Sequence, residues 1–304
     1  MFHTLDQHTP VLIQGITGRM GRFHTSLMRK YGTNIVAGVS YRGTETVQDG
    51  IPVYSSCGDA VRVRQIVASV VMVPPMKVLP AVQEAVAAGI QLIVTIAEGI
   101  PVHDALKISR IVREAGATWI GPSTPGLVVP GKIKLGFLPA VAIARGPLAV
   151  MSKSGTLSYE VCHRLRMAGV GQSAWVGVGG DPVKGTRFAD LAEPLAAMPE
   201  TRGLLLIGEV GGDEEEAFAE RLEKADLGIP VFALIAGREA KEGISMGHAG
   251  ALVMGNTGSI DSKTRALEAA GVHVYRSIGD LEKSLPGLMG AEAAPAVGLS
   301  STES

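Results

Sequence analysis

The sequence predicts two doubly wound α/β domains in series, each built on a mainly parallel sheet. Three observations carry this. Short, near-continuous runs of Val, Ile and Leu alternate with helix-period stretches along the whole chain, the mark of strands buried on both faces. The alternation breaks once, between Gly121 and Pro147, and then starts again. The 304 residues include 39 glycines, spread between strand-like and helix-like segments rather than in repeats, so they belong to tight loops where backbone approaches a ligand.

Taken in order, residues 11–14 form the first strand and 21–31 the first helix. Strands follow at 34–39 and 66–74, a helix at 78–88, a strand at 92–96, a helix at 104–115 and a short strand at 118–120. Five prolines between 122 and 147, with no helical period, read as an inter-domain connection containing a short strand near 134–137. The second alternation has strands at 148–151, 173–178, 204–207, 231–235 and 272–275. Helices lie at 155–168, 186–198, 214–224 and 259–270. Five strands with intervening helices in this span predict a flavodoxin-like domain. The expected boundaries are a first domain over 1–121, a connection over 122–147, a second domain over 148–290 and a disordered tail over 291–304.

Bulk properties exclude several classes. Hydrophobic residues make up 46% and charged residues 19%, a balance suited to a globular protein with buried sheets. A net charge of −1 gives no footprint for nucleic acid. No apolar run is long enough for a membrane helix, and residues 1–10 lack a signal-peptide core. Cys57 and Cys162 have no metal-ligand spacing and read as reduced thiols. The cytoplasm is the expected compartment, and no metal site is expected on this chain.

The first strand runs into Gly15, Gly18 and Gly21 and then a helix. This Rossmann-like turn lets backbone reach a pyrophosphate at a helix N-terminus. An acidic residue for ribose hydroxyls would stand at the end of the second strand in an NAD enzyme; Arg42 lies there instead. A basic residue suits a phosphorylated ribose, that of NADP or of coenzyme A.

His248 lies between Gly247 and Ala249, with Gly250 beyond, after a strand of the second domain. Small neighbours clear the space around the ring, and no second His or Cys stands at ligand spacing. A metal ligand is thereby disfavoured, which leaves a base or a nucleophile; a nucleophilic imidazole would need a carboxylate to hold the proton on its other nitrogen. Glu209, at the end of another strand, is the candidate orienting carboxylate. Two further loops offer backbone amides to a phosphoryl group. One holds Ser154, Gly155 and Thr156, the other Gly179 and Gly180.

Together the stretches 14–18, 96–101, 121–126, 152–160, 176–182, 207–209 and 246–250 resemble the succinyl-CoA synthetase alpha-subunit family, in family order. The resemblance implies a CoA-binding Rossmann-like domain followed by a flavodoxin-like ligase domain. It implies a transient phosphoryl on His248, with Glu209 steadying the ring. Coenzyme A would meet Gly15, Thr17, Gly18, Arg19 and Met20, Arg42, and Ile96, Ala97 and Glu98. The organic acid would meet Tyr159, Ser123 and Thr124. The family chemistry links a nucleoside triphosphate, an acyl phosphate and a CoA thioester through reversible steps. This chain has no G-x-x-x-x-G-K-[ST] loop. In the family the ATP or GTP with its Mg2+ sits on a beta subunit of ATP-grasp fold, paired as αβ or α2β2. The sequence departs from the family at 41–44, where Arg42 and Gly43 replace a Pro-Gly-Lys-Gly-Gly loop, at Ser123 and Thr124, and at 238–243. These departures leave the acid open among succinate, malate, citrate and other small carboxylates or a sulfonated acid. Two other readings remain at this point: an NADP-dependent dehydrogenase, and a non-catalytic CoA-binding sensor derived from the ligase.

Overall fold

In a computed structural model the described residues are 2–41, 47–237 and 258–290. The first sheet is assembled from β1 (Val11–Gln14), β2 (Ile35–Val39), β3 (Val47–Gln48), β4 (Ile51–Tyr54), β5 (Ala68–Val71), β6 (Leu92–Thr95) and β7 (Thr118–Ile120), in the order β3-β4-β2-β1-β5-β6-β7. All neighbours run parallel except the β3–β4 pair. Setting aside β3, the order is the 3-2-1-4-5-6 of a dinucleotide-binding sheet, with its switch point between β1 and β5. Helices α1 (Arg19–Tyr31), α2 (Cys57–Val63), α3 (Val78–Ala87) and α4 (Val102–Glu114) cover it.

The second sheet holds β8 (Gly126–Val129), β9 (Ile133–Gly136), β10 (Arg145–Ser152), β11 (Gln172–Gly177), β12 (Gly203–Glu209), β13 (Val231–Ala236) and β14 (His273–Tyr275). Its order is β14-β13-β12-β10-β11-β8-β9. The five parallel strands from β10 onward have the flavodoxin-like order, with the switch point between β10 and β12. Around them lie α5 (Gly155–Met167), α6 (Phe188–Ala196), α7 (Glu214–Lys224), α8 (Ile260–Ala269) and α9 (Ile278–Leu288).

The strands are apolar because both faces are covered. Along β10, Leu148 and Val150 enter one core and Ala149 and Met151 the other, as alternate side chains must. The core of the inner faces is continuous between the sheets, running from Ile13 and Val70 to Leu127, Leu135 and Val176.

Residues 122–147 differ from the expected connection. They contain the first residues of β10 and the antiparallel hairpin β8–β9, whose second strand falls on the short strand expected near 134–137 and which extends the second sheet beyond β11. The prolines bracket the hairpin rather than breaking it. Pro125 stands just before β8, and Pro130 with Gly131 makes the turn to β9. Helix α1 packs on this hairpin, and Thr33 bonds both backbone groups of Lys134. The β3–β4 pair, α2 and α9 are further elements that the period did not predict.

Candidate functional site

At the end of β1 the three glycines play different parts. Gly15 takes φ +83°, and a Cβ there would lie 2.6 Å from the Met72 carbonyl oxygen in the loop after β5. Gly21 allows α1 to press against the turn, since its Cβ would stand 2.1 Å from the Gly15 oxygen. Gly18 is exposed, ordinary in φ, and is the N-cap of α1. No side chain caps this helix and no acid lies in its first turn. Arg19 and Met20 lead the helix and are exposed, so its uncapped start lies at the surface. Thr17 hydrogen-bonds Ser40 at 2.7 Å, joining this turn to the end of β2. Arg42 lies outside the described residues.

Ile96, Ala97 and Glu98 form the loop after β6. The Ala97 carbonyl accepts the Ser123 amide at 3.0 Å, so this loop leans on the segment 121–126. That segment begins at the cis Gly121–Pro122 bond, and Ser123 has φ +54°. Thr124 is buried. Its hydroxyl donates to the Gly177 oxygen at 2.6 Å and accepts the Gly126 amide at 3.0 Å. The Thr124 hydroxyl, expected to meet the acid, is engaged inside the protein and joins two loops; Ser123 is half-buried beside it.

Three loops lie side by side at the C-terminal ends of β12, β10 and β11. The middle one is tied to its neighbour by the Lys153 amide donating to the Ile207 oxygen at 3.1 Å. Ser154 is the N-cap of α5 and accepts the Leu157 amide at 3.2 Å. Gly155 and Thr156 open that helix, with Thr156 exposed. In the β11 loop, Gly179 and Gly180 are buried, and Gly179 has φ +89° with a Cβ position 1.9 Å from the Pro122 oxygen. Tyr159 on α5 packs edge-on against Trp175 at 5.8 Å. Burial pushes its hydroxyl up to about 12, which keeps it a neutral donor.

Glu209 ends β12 with 7% of its surface exposed. It stands beside the switch point, two residues beyond the Ile207 that pairs with Ser152 of β10. Below it lies a set of buried ions that sequence reading did not find. Glu215 accepts Lys153 Nζ, with nearest contacts of 2.9 Å and 3.1 Å to its two oxygens, accepts Lys263 Nζ, and accepts the Glu209 amide at 3.1 Å. Lys263 also reaches Glu216 at 2.9 Å and the Gly212 oxygen at 3.0 Å. Lys184 donates to Glu214 at 2.9 Å and to the Gly179 oxygen at 2.6 Å. Burial works against charge on Lys153, but Glu215, Glu214 and Glu209 outweigh it and raise its pKa. Burial likewise opposes the Glu215 carboxylate, and Lys153 and Lys263 overcome it to hold the pKa low. For Lys184 burial prevails and lowers the pKa.

The structure thus brings together Glu209, the loop of Ser154, Gly155 and Thr156, the loop of Gly179 and Gly180, and Ser123 with Thr124. The turn of Gly15 to Met20 and the loop of Ile96 to Glu98 belong to the first sheet, and the second of these connects to the others through the Ser123 amide and the Ala97 oxygen. His248 lies outside the described residues. The chain enters that segment after Gly237 beside β13 and leaves it at Gly258, whose oxygen accepts the Gly211 amide at 2.8 Å. Among the described residues no group of three His, Cys, Asp or Glu could hold a metal ion. No helix among them is long and apolar enough to cross a membrane.

Residues 6–99 match the CoA binding domain family, and residues 151–273 match the CoA-ligase family. The alpha 2 subunit of an ADP-forming succinate–CoA ligase from Archaeoglobus fulgidus is 47% identical over 90% of this chain and 94% of its own length. The chain belongs to the succinate–CoA ligase alpha-subunit family. A further member, the alpha subunit from Aquifex aeolicus, is 43% identical over 90% of both chains. Membership explains the two sheets, since a CoA-binding domain comes first and a CoA-ligase domain second, as in a carboxylate–CoA ligase. The alpha-subunit fold recurs in the Methanosaeta concilii ATP citrate lyase solved with (3S)-citryl-CoA. That structure overlays with a TM-score of 0.85 over 95% of this chain at 20% identity, a likeness of fold alone. This chain spans about half (51%) of that lyase chain.

Proposed function

We propose that this chain is the alpha subunit of an ADP-forming succinate–CoA ligase, and that His248 carries the phosphoryl group between nucleotide and acid. The relatives are alpha subunits, which implies a beta-subunit partner. We assign to that partner an ATP-grasp fold and the nucleotide with its Mg2+. We draw the boundary between the CoA-binding and ligase halves after residue 121, where the chain leaves β7 for the hairpin of the second sheet. The two buried, unpaired thiols of Cys57 and Cys162 support a cytoplasmic setting.

The observation that carries this reading is the convergence at the β10/β12 switch point. A buried carboxylate, Glu209, stands beside an anion-binding helix start at Ser154, Gly155 and Thr156, and the Gly179 loop flanks both. Gly237 and Gly258, the two ends of the His248 segment, lie next to it. Nucleoside triphosphate supplies the phosphoryl group and coenzyme A supplies the thiol, and both are consumed in each turnover. His248 in its neutral form presents one ring nitrogen to phosphorus, and Glu209 accepts the hydrogen on the other. The new phosphorus–nitrogen bond forms as the bond to the diphosphate breaks, and the Glu209 charge offsets the imidazolium. The acid carboxylate then attacks phosphorus and releases neutral His248. The thiolate attacks the resulting acyl phosphate at carbon, and inorganic phosphate leaves. Backbone amides of the 154–156 and 179–180 loops hold the phosphoryl oxygens throughout. Tyr159 donates to the acid. Gly15, Thr17, Gly18, Arg19 and Met20, with Arg42 and the 96–98 loop, hold coenzyme A, for which the uncapped start of α1 is suited.

The test is the chain co-expressed with its beta subunit and incubated with ATP. Mass spectrometry under alkaline conditions should find phosphohistidine at residue 248, absent in His248→Asn. A carboxylate panel should give CoA-dependent ADP release with succinate ahead of malate and citrate. An unphosphorylated wild-type chain refutes the relay, and release led by another acid refutes the substrate.

A further inference from the structure

The buried ions beneath the switch point are built at a cost that stability does not explain. Removing charges from water is expensive, and apolar side chains of similar volume usually serve a core at least as well. Here three ammonium groups, Lys153, Lys184 and Lys263, meet three carboxylates, Glu214, Glu215 and Glu216, and the side chains of Lys263 and Glu215 have no exposed surface. The members come from four places: the loop after β10, the loop after β11, the start of α7 and the first turn of α8. Glu215 is the centre. It hydrogen-bonds two lysines and the backbone amide of Glu209, whereas Glu214 hydrogen-bonds Lys184 and the Phe188 amide on the far side of the cluster. The sequence around it is shaped to admit it. A Cβ on Gly208 would lie 2.5 Å from Glu215 Oε1, so any larger residue there would push the carboxylate away.

Each of these contacts fixes something next to the proposed chemistry. Lys153 immediately precedes the Ser154 cap, so its ammonium anchors the phosphate loop from below. The Glu209 amide fixes the backbone that carries the orienting carboxylate. Lys263 ties α8, four residues beyond Ser259, to the Gly212 carbonyl, and so holds the exit of the His248 segment against the β12 loop. Neutralising Glu215 removes the charge that holds Lys153 and Lys263 to one point beneath the Glu209 backbone.

We propose that Glu215 is the positioning residue of the phosphoryl relay, a carboxylate that never touches the reactants but sets Glu209, the 154–156 loop and the α8 start in one register. This rests on the phosphohistidine reading above. Two variants of the assembled two-subunit enzyme test it. Glu215→Gln keeps the shape and an acceptor for the Glu209 amide but removes the charge. The pair Glu215→Gln with Lys263→Met removes one charge of each sign and leaves Lys153 within 3.9 Å of Glu214. Single-turnover phosphorylation of His248 by ATP is measured well below the melting temperature of each variant, together with the KM for coenzyme A. The single variant should phosphorylate roughly 30-fold or more slowly, since a displacement near 1 Å at reacting groups has an effect of that order. Its KM for coenzyme A should stay within about twofold, because that site lies on the other sheet. In the pair, melting temperature should recover while the rate stays low, a split that a merely structural role does not produce. A pair that phosphorylates within about threefold of wild type overturns the proposal. So does a pair that fails to fold, because the charge-balanced core is then needed for stability alone. A wild-type enzyme with no phosphoryl on His248 overturns the relay and this role with it; normal phosphorylation of the variants overturns this role only.

Discussion

Replacing Gly21 by alanine separates the two reasons a glycine stands in the turn after β1. The new methyl would lie 2.1 Å from the Gly15 oxygen and 2.9 Å from its carbonyl carbon, both backbone atoms that no rotamer change can move aside. Ordinary contact begins about 1.3 Å farther out than 2.1 Å. Either α1 lifts from the sheet or the turn opens, and the turn is closed by the Gly18 amide donating to that same Gly15 oxygen at 3.0 Å. Overpacking of this kind costs about 1–3 kcal/mol, and loss of the turn hydrogen bond about 1 kcal/mol more. Alanine regains roughly 1 kcal/mol as the better helix former, which does not close the gap. The expected net loss is about 1–3 kcal/mol in urea unfolding. The helix amides move with the turn, so calorimetric titration of the assembled enzyme should show coenzyme A binding weakened roughly tenfold to a hundredfold, the worth of one charge-assisted hydrogen bond. Gly18→Ala is the contrast. Its φ of −70° accepts alanine and its nearest neighbour lies at 3.3 Å, so stability should change little while affinity falls. A Gly21→Ala protein with wild-type stability and coenzyme A affinity within about threefold would refute the reasoning.

Three further outcomes are expected. Gly179→Ala should destabilise the chain by about 3 kcal/mol or more, since the methyl meets the Pro122 oxygen at 1.9 Å and φ +89° adds backbone strain; thermal melting measures it. Tyr159→Phe should leave melting at neutral pH nearly unchanged and raise the KM for the acid. Because the folded pKa of Tyr159 lies near 12, above its ordinary 10, wild-type stability should fall as pH rises from 10 to 12, and the variant should lack that part of the slope. Glu215 behaves in the opposite sense. Its folded pKa is held below the ordinary 4.5, so its contribution is complete above that value and is lost as the medium is acidified below it. Acid unfolding followed by circular dichroism should be steeper below pH 4.5 in wild type than in Glu215→Gln.

Elements buried on both faces were legible because composition marks them: β1, β6 and β12 each hold three or four consecutive Val, Leu or Ile residues. Of the hairpin, β9 falls on the short strand expected near 134–137, but β8 was hidden by flanking prolines, which a reader takes as linker and which here only delimit four-residue strands. Helix α9 contains Pro286 and Gly287, and α2 is only seven residues long, so neither shows a sustained period. At the site, Gly15, Gly18 and Gly21 were readable because their spacing is local. The ion cluster was not. Glu214, Glu215 and Glu216 at a helix start look like solvated partners of the helix dipole, and Lys153, Lys184 and Lys263 look like surface charges. Only the meeting of β10, β11, β12, α7 and α8 buries them, and that is a tertiary fact. Gly208 was the one available hint, a glycine inside an otherwise bulky strand. Thr124 was placed at the acid by the family resemblance of 121–126, whereas in the fold its hydroxyl donates to the Gly177 oxygen, a contact distant in sequence.

The contact between Pro122 and Gly179 has a meaning for anyone recombining these proteins. The segment 121–126 leans on the 96–98 loop on one side and on the 177–180 loop on the other, with no side chain between Gly179 and the Pro122 oxygen to absorb a misfit. A chimera that joins the first half of one relative to the second half of another therefore inherits a joint whose two surfaces were shaped against each other. Exchanging 96–98, 121–126 and 177–180 as one set should give working hybrids where a single crossover fails. The unit of inheritance at this joint is the trio of loops, not the domain.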